Sequence, residues 1–215
     1  MISITRAVED VLREDGFARE GLQRGVLNLS AYAKQILPRI EALTMKPVQI
    51  GSVIVALARV AKELEAAEPF APYIHLSNLS VTSHLCEITY TKKDSIIKII
   101  RSLDTTIFSS DDFFTLTEGL HEITIICTTS KKDAVLAQIP EAPKAQILDL
   151  VSVSVRFSDT YLSVPNTIYS LVSILATRHI NILEIVSTYT ELSFIINKNE
   201  MQQTVQALQA YTEQE

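Results

Sequence analysis

Residues 161–188 read YLSVPNTIYSLVSILATRHINILEIVST, and residues 189–208 continue as YTELSFIINKNEMQQTVQAL. Together they predict a polar loop, an amphipathic helix, two short strands joined by a tight polar turn, and a second amphipathic helix. The alternating run VSVSVRF (Val151 to Phe157) in front of them predicts one more strand. The resulting order, β-α-β-β-α, is most of a ferredoxin-like α+β unit.

The preceding region repeats this order, and two alignments show the repeat. With a shift of 72 residues, Asp94–Leu103 (DSIIKIIRSL) lies on Asn166–Leu175 (NTIYSLVSIL) with most apolar positions matched. With a shift of 69, Glu122–Ile139 lies on Glu191–Leu208 without a gap. Fixed-period similarity of this kind indicates two copies of one structural unit. We therefore predict two βαββαβ units in tandem, over residues 71–150 and 151–215.

The two copies differ at their ends. The first copy is predicted to open with the strands Tyr73–Thr82 and Leu85–Thr91, as a hairpin turning at Ser83-His84, and to close with Gln146–Leu150. The second copy has no closing strand of its own, because only Tyr211–Glu215 follows its last helix. We predict that Tyr73–Thr82 is the spare strand that completes the second copy.

Residues 1–70 are predicted to form a helical module. A first helix from Ile4 ends at Gly16, and Ser30 caps a short helix. Pro38 stops that helix or starts the next one, and Gln49–Glu65 has the clearest amphipathic periodicity. Residues 66–72, which contain two prolines, are the best candidate for a linker.

A winged-helix DNA-binding domain is the alternative interpretation of this module, with Tyr73–Tyr90 as the wing. The connection between its helices is far longer than the three- to four-residue turn of a helix-turn-helix. The last helix offers only Arg59 and Lys62 as outward cations, so side chains that read base edges are scarce. A docking or dimerisation role is favoured, and nucleic-acid binding stays open as the alternative.

Composition restricts the class of protein. The chain has 215 residues, 47% hydrophobic and 20% charged, with a net charge of −6. Lys+Arg balance Asp+Glu over residues 1–70, nine against nine, so the excess acid in residues 71–215 disfavours binding to phosphates there. The N-terminus lacks a signal-peptide pattern, and no apolar run approaches a membrane span, so a cytoplasmic protein without a membrane partner is expected. Cys86 and Cys127 fall in strand-like runs and are predicted to be buried thiols.

No pattern of catalytic or cofactor-binding residues is present in the sequence. It has no G-x-G-x-x-G, Walker A or H-E-x-x-H motif, and its five glycines are too few for a phosphate-binding loop. The four histidines (His75, His84, His121 and His179) lack the spacing of metal ligands. Asp111-Asp112 is best explained as a solvated loop. We predict a protein that is not an enzyme and needs no cofactor or metal.

The loop with its proline, the following helix and the HINIL strand (His179–Leu183) resemble an ACT regulatory domain of the aspartate-kinase kind. The resemblance implies a domain that binds a small effector, usually an amino acid, and carries no chemistry. It also implies that one ACT unit is inserted into the other, so that a strand before the first unit completes the second. The kinase segment of an aspartate kinase is missing. A regulatory homodimer or higher homo-oligomer is expected.

The two copies also differ in the linker before their first helix. Asp94 follows Tyr90 by four positions, whereas Asn166 follows Phe157 by nine, through a segment that includes hydroxyls and a proline. The longer linker leads to a helix N-terminus, which attracts a carboxylate. The resemblance implies that this loop and the start of the next strand meet across a dimer and hold the effector. The expected effector-binding residues are Ser163, Val164, Pro165, Asn166, Asn181 and Ile182. The family usually has glycine where this chain has Asn166, and the sequence does not identify the effector.

Overall fold

The computed structural model describes residues 2–65, 67 and 69–212, and the chain divides into two compact units, Met1–Pro72 and Tyr73–Glu215. The first unit is helical, in agreement with the apolar periodicity of its sequence. Its helices are α1 (Ile4–Glu14), α2 (Gly16–Gln23), α3 (Leu29–Thr44) and α4 (Ile50–Glu65). Of the predicted linker 66–72, residues 66 and 68 lie outside the described residues.

Three details of the predicted helical unit are wrong. Gly16 begins α2, where the Asp15 side chain accepts a hydrogen bond from the Ala18 N–H at 2.9 Å. Asn28, not Ser30, caps α3, since its side-chain oxygen accepts from the Ala31 N–H at 3.0 Å. Pro38 lies inside α3 and neither ends nor begins a helix. The helix continues through Pro38 because its apolar face is buried both before and after the proline. The buried residues of this face include Ala33, Ile36 and Ile40.

The second unit is a mixed α/β structure with one six-stranded sheet. Its strands are β1 (Leu76–Thr91), β2 (Phe114–Glu118), β3 (Glu122–Thr128), β4 (Ala145–Phe157), β5 (Ile182–Ser187) and β6 (Glu191–Asn197). Its helices are α5 (Asp94–Arg101), α6 (Lys132–Gln138), α7 (Thr167–Ala176) and α8 (Met201–Gln209). The strand order is β2-β3-β1-β4-β6-β5, and each pairing in this order is antiparallel.

The predicted hairpin at Ser83-His84 is wrong, because β1 runs without a turn from Leu76 to Thr91. His84 instead forms a bulge: its φ is 59°, and the register against β4 shifts between Thr82 and Leu85. A two-residue hairpin requires positive φ at its centre and therefore favours Asn-Gly or Asp-Gly, which Ser-His does not supply. The proposed wing of a winged-helix domain is therefore not a hairpin in this structure.

The two longest strands pass through both halves of the sheet. Leu76–Thr82 of β1 pairs with Ser152–Phe157 of β4, and Leu85–Thr91 of β1 pairs with β3. Leu76–Thr82 lies within the predicted spare strand 73–82, and its partner on β4 lies within residues 151–215. The predicted strands 146–150 and 151–157 are one strand, β4, so the boundary at 150/151 lies within it. Residues 213–215 of the predicted tail lie outside the described residues.

Two helix pairs cover one side of the sheet, each over its own half. Ile96 of α5 and Val135 of α6 share a buried cluster with Ile125 of β3, while Leu171 of α7 and Leu208 of α8 pack against the other half. The opposite side has its own small cluster, contributed by both halves and consisting of Leu85, Ile126, Leu150 and Ile195. This arrangement leaves the N-terminus of α7 and the turn between β5 and β6 at the same end of the second half.

The predicted buried thiols are confirmed. Cys86 and Cys127 are opposite each other on β1 and β3, and both are fully buried. Their sulfur atoms are 3.8 Å apart, so they are free thiols in van der Waals contact. In the part of the chain that the structure describes, no helix has the length and hydropathy needed to cross a bilayer.

Candidate functional site

A cleft of about 410 Å³ opens at the N-terminus of α7. Three segments enclose it: the loop after β4, the first turn of α7, and the turn between β5 and β6. Its lining residues are Phe157, Tyr161, Leu162, Val164, Asn166, Thr167, Ile168, Tyr169, Ser187, Thr188, Tyr189 and Leu192. Small-molecule sites have this range of volumes and this mixture of apolar walls with a few polar groups.

Local hydrogen bonds shape the loop after β4. Ser158 caps a short 3₁₀ turn over Asp159–Ser163, because its hydroxyl accepts from the Thr160 N–H at 3.3 Å. The Thr167 hydroxyl lies 3.0 Å from the carbonyl oxygen of Tyr161 and 2.9 Å from that of Val164. Thr167, which is buried, therefore ties the loop to the first turn of α7. The loop is held in a defined shape beside the helix N-terminus.

Asn166 has a left-handed backbone conformation, with φ 67° and ψ 13°. Glycine adopts this conformation without strain, and asparagine is among the few other residues that visit it. Asn166, where the resembling family usually has glycine, thus adopts a conformation that glycine would also adopt without strain. Asparagine at this position is therefore compatible with the loop shape that glycine would allow.

The helix end provides the cleft with positive electrostatic potential. The first N–H groups of an α-helix have no partners within the helix, and the helix dipole places partial positive charge at this end. Among the described residues that line the cleft, none has a charged side chain. The helix terminus is thus the main source of polarity on this wall, and the arrangement suits a carboxylate.

The structure places the six predicted site residues in two groups. Val164 and Asn166 line the cleft, and Ser163 and Pro165 are exposed neighbours in the same loop. Asn181 and Ile182 lie at the opposite end of β5 from Ser187, roughly 17–20 Å away at about 3.3 Å per strand residue. Within one chain these groups do not meet. The Asn181 N–H instead donates to the Glu200 Oε1 at 3.0 Å.

The β5–β6 turn was missed by the sequence analysis. Ser187, Thr188 and Tyr189 line the cleft although they follow Asn166 by more than twenty residues. The sequence predicts the tight polar turn but not its position in space. The turn lies at the helix N-terminus because β5 and β6 are paired antiparallel, and this pairing cannot be read from the turn residues themselves. Tyr161 and Tyr169 were also missed, and their aromatic character was the available signal.

The corresponding linker in the first half of the sheet has a different structure. Lys92 Nζ lies 2.7 Å from Glu118 Oε1 and also donates to the Gly119 carbonyl at 3.0 Å. Lys93 Nζ is 2.5 Å from Glu141 Oε1. These ion pairs engage both cations of the short linker with neighbouring protein groups. The two helix N-termini therefore differ, and only the linker before α7 is long enough to enclose a ligand.

Five arginines of the helical unit are paired with carboxylates on its own surface. Arg13 pairs with Asp10 at 3.2 Å, Arg24 with Glu20 at 3.2 Å, and Arg59 with Glu63 at 3.4 Å. Arg6 and Arg39 also pair with carboxylates. Binding to nucleic acid relies on cations that neutralise phosphates. These ion pairs, together with the missing wing hairpin, disfavour the DNA-binding interpretation.

No protein-family model and no curated protein matches the chain. Solved structures do. The regulatory subunit of aspartate kinase from Thermus thermophilus matches with a TM-score of 0.53 and 14% identity, over 66% of this chain and 100% of that chain. Clostridium acetobutylicum aspartate kinase matches with a TM-score of 0.53 and 12% identity, over 68% of this chain and 37% of that chain. E. coli aspartokinase III in complex with aspartate and ADP matches with a TM-score of 0.50 and 15% identity, over 64% of this chain and 34% of that chain.

These matches confirm the predicted resemblance at the level of the fold. The mixed α/β structure is similar to the regulatory subunit over that subunit's whole length. The chain matches only about a third of the two aspartate kinases. Since the identities are low, the similarity concerns architecture.

Proposed function

We propose that this chain is a non-catalytic regulatory protein that binds a small effector, an amino acid, through two ACT-like units, 71–150 and 151–215. The cleft at the N-terminus of α7 carries the proposal, because the long loop of the second half makes it and the first half lacks an equivalent linker. The fold shared with the aspartate kinase regulatory subunit supports it. In this proposal, binding of the effector in the cleft alters the activity of a partner protein.

The effector's α-carboxylate binds at the first turn of α7 in this proposal. Backbone N–H groups at a helix N-terminus donate to an anion, and the dipole adds attraction. Asn166 in its left-handed conformation turns the chain into the helix, and Thr167 holds the loop in place. Ser163, Val164 and Pro165 form the loop wall.

The effector's ammonium group is bound across a homodimer in this proposal. Asn181 and Ile182 are too far from the cleft of their own chain to reach an amino acid in it, so a second copy of the chain supplies them. The Asn181 side-chain oxygen accepts a charged hydrogen bond from the ammonium group. The edge strands β2 and β5 have unpaired backbone groups, which a second copy can cover.

A thermal-shift screen with the twenty amino acids tests the function. A ligand at 100 times its dissociation constant adds about 2.7 kcal/mol to the stability of the folded state. Asn181→Ala should weaken binding by roughly 1–3 kcal/mol while leaving the fold intact, since Asn181 is exposed. Light scattering should show a dimer or larger particle. No shift with any amino acid at millimolar concentration would overturn the proposal.

A further inference from the structure

The lining of the cleft points to the kind of side chain that its effector carries, an inference that rests on the function proposed above. We infer that the cleft selects an amino acid with an uncharged, apolar side chain, branched aliphatic or aromatic, and rejects amino acids with charged side chains. The functional proposal alone makes no such distinction, because every amino acid has the same carboxylate and ammonium groups.

The floor of the cleft is apolar and belongs to the buried core. Leu192 is 1% exposed and Phe157 is 7% exposed, and both also contact the cluster beneath α7 and α8. A side chain that enters the cleft therefore meets hydrocarbon at its base. Removing apolar surface from water is favourable, whereas placing a charge there without a partner is costly.

The rim is apolar as well, and it is exposed when the cleft is empty. Leu162 is 48% exposed, Ile168 is 54% exposed, and Tyr189 is 72% exposed. These residues come from the loop, the helix and the β5–β6 turn respectively, so they surround the opening from three sides. An apolar ligand side chain would remove these residues from water, whereas a charged group placed over them would lose its hydration without gaining a partner.

No group of opposite charge is available to a lysine, arginine, aspartate or glutamate side chain in the cleft. Of the described lining residues, none is acidic, basic or a histidine. The polar side chains of the lining are hydroxyls and the Asn166 amide, and the Thr167 hydroxyl is already engaged with two carbonyl oxygens. The N–H groups at the start of α7 are taken by the effector's own α-carboxylate in the proposed function. Hydroxyls hydrogen-bond a side chain weakly in comparison with an ion pair. The cleft therefore discriminates by charge as well as by shape.

A titration panel tests the selectivity. Leucine, isoleucine and phenylalanine are compared with lysine, arginine, aspartate and glutamate by isothermal calorimetry on the full chain. We expect the apolar set to bind at least tenfold more tightly than the charged set. If the charged set binds as tightly or more tightly, the selectivity inference is overturned and the regulatory function stands. If neither set nor any other amino acid binds, both are overturned.

Paired variants locate the selectivity in the cleft. Leu162→Asp puts a carboxylate on the rim, and Leu148→Asp makes the same change at another position that is 48% exposed but does not line the cleft. We expect Leu162→Asp to bind leucine at least tenfold more weakly, with its melting temperature without ligand unchanged, and Leu148→Asp to bind it like the parent. Equal affinity for Leu162→Asp and the parent would overturn the assignment of the cleft, whichever amino acids bind.

Discussion

Replacing Leu76 by alanine tests whether the first half of β1 is part of the core beneath α7 and α8. Leu76 is fully buried and belongs to the same apolar cluster as Phe157 and Leu171. It pairs with Phe157 of β4, and its N–H donates to the Tyr211 carbonyl at 2.8 Å. A residue of the predicted first unit, 71–150, is thus packed with residues of the predicted second unit, 151–215.

The magnitude follows from the burial of the side chain. Truncating a fully buried leucine to alanine typically costs about 2–5 kcal/mol, the sum of lost transfer energy and a residual cavity. At roughly 2–4 °C per kcal/mol for a domain of this size, a loss of about 3 kcal/mol lowers the melting temperature by about 6–12 °C. The backbone hydrogen bond of Leu76 is unaffected, so the loss measures packing.

Urea unfolding followed by circular dichroism measures the effect as a shift of the midpoint. Val81→Ala is the matched control, since Val81 lies on the same strand segment but is 42% exposed. It should cost less than about 1 kcal/mol. Equal losses for the two variants would refute the shared-core argument. Deleting residues 1–70 should leave the sheet intact, whereas deleting 1–84 removes the β1 segment that pairs with Ser152–Phe157 and should prevent folding.

Three further predictions concern single groups. Both Asn166→Gly and Asn166→Ala remove the side chain, but at φ 67° alanine should be about 1 kcal/mol less stable than glycine in thermal unfolding, and equal stability would contradict the left-handed conformation. Burial, and then the nearby Glu87 carboxylate, raise the pKa of Glu184 above its ordinary value, so its contribution to stability is present at low pH and lost as the pH rises through the raised pKa. Glu184→Gln should therefore increase the melting temperature more at pH 7 than at pH 4, and an effect independent of pH would argue against it. Cys86 and Cys127 should react with Ellman's reagent only after unfolding, and rapid reaction of the native protein would be inconsistent with their burial.

The similar order of strands and helices along Tyr73–Glu215 could be predicted from the sequence, because amphipathic periodicity is a local property. The gapless shift of 69 residues places Glu122–Thr128 on Glu191–Asn197, and these are the complete strands β3 and β6 of the structure. The same shift places the start of α6 at Lys132 on the start of α8 at Met201. Burial on one face imposes the apolar spacing of each element, so the spacing can be recognised without knowing the partners.

Local signals failed where distant contacts override them. Pro38 is a helix breaker in isolation, yet α3 continues through it because Ala33 and Ile40 are both buried against the other helices of the unit. His84 suggested a turn, yet β1 continues because β4 pairs with it before and after the bulge and β3 pairs with it after the bulge. Hydrogen bonds and packing supplied by residues far along the chain are absent from any local pattern.

The candidate site was likewise predictable from the sequence only in part. The length of the loop between Phe157 and Asn166, its proline and the helix that follows could all be read along the chain, and they led to Val164 and Asn166. The rest of the cleft comes from the β5–β6 turn, which reaches the helix N-terminus only because β5 and β6 run antiparallel beside β4. The same geometry places Asn181 at the far end of β5. A cleft is formed by side chains that converge in space, and sequence spacing records neither their separation nor the charge of the surface that they enclose.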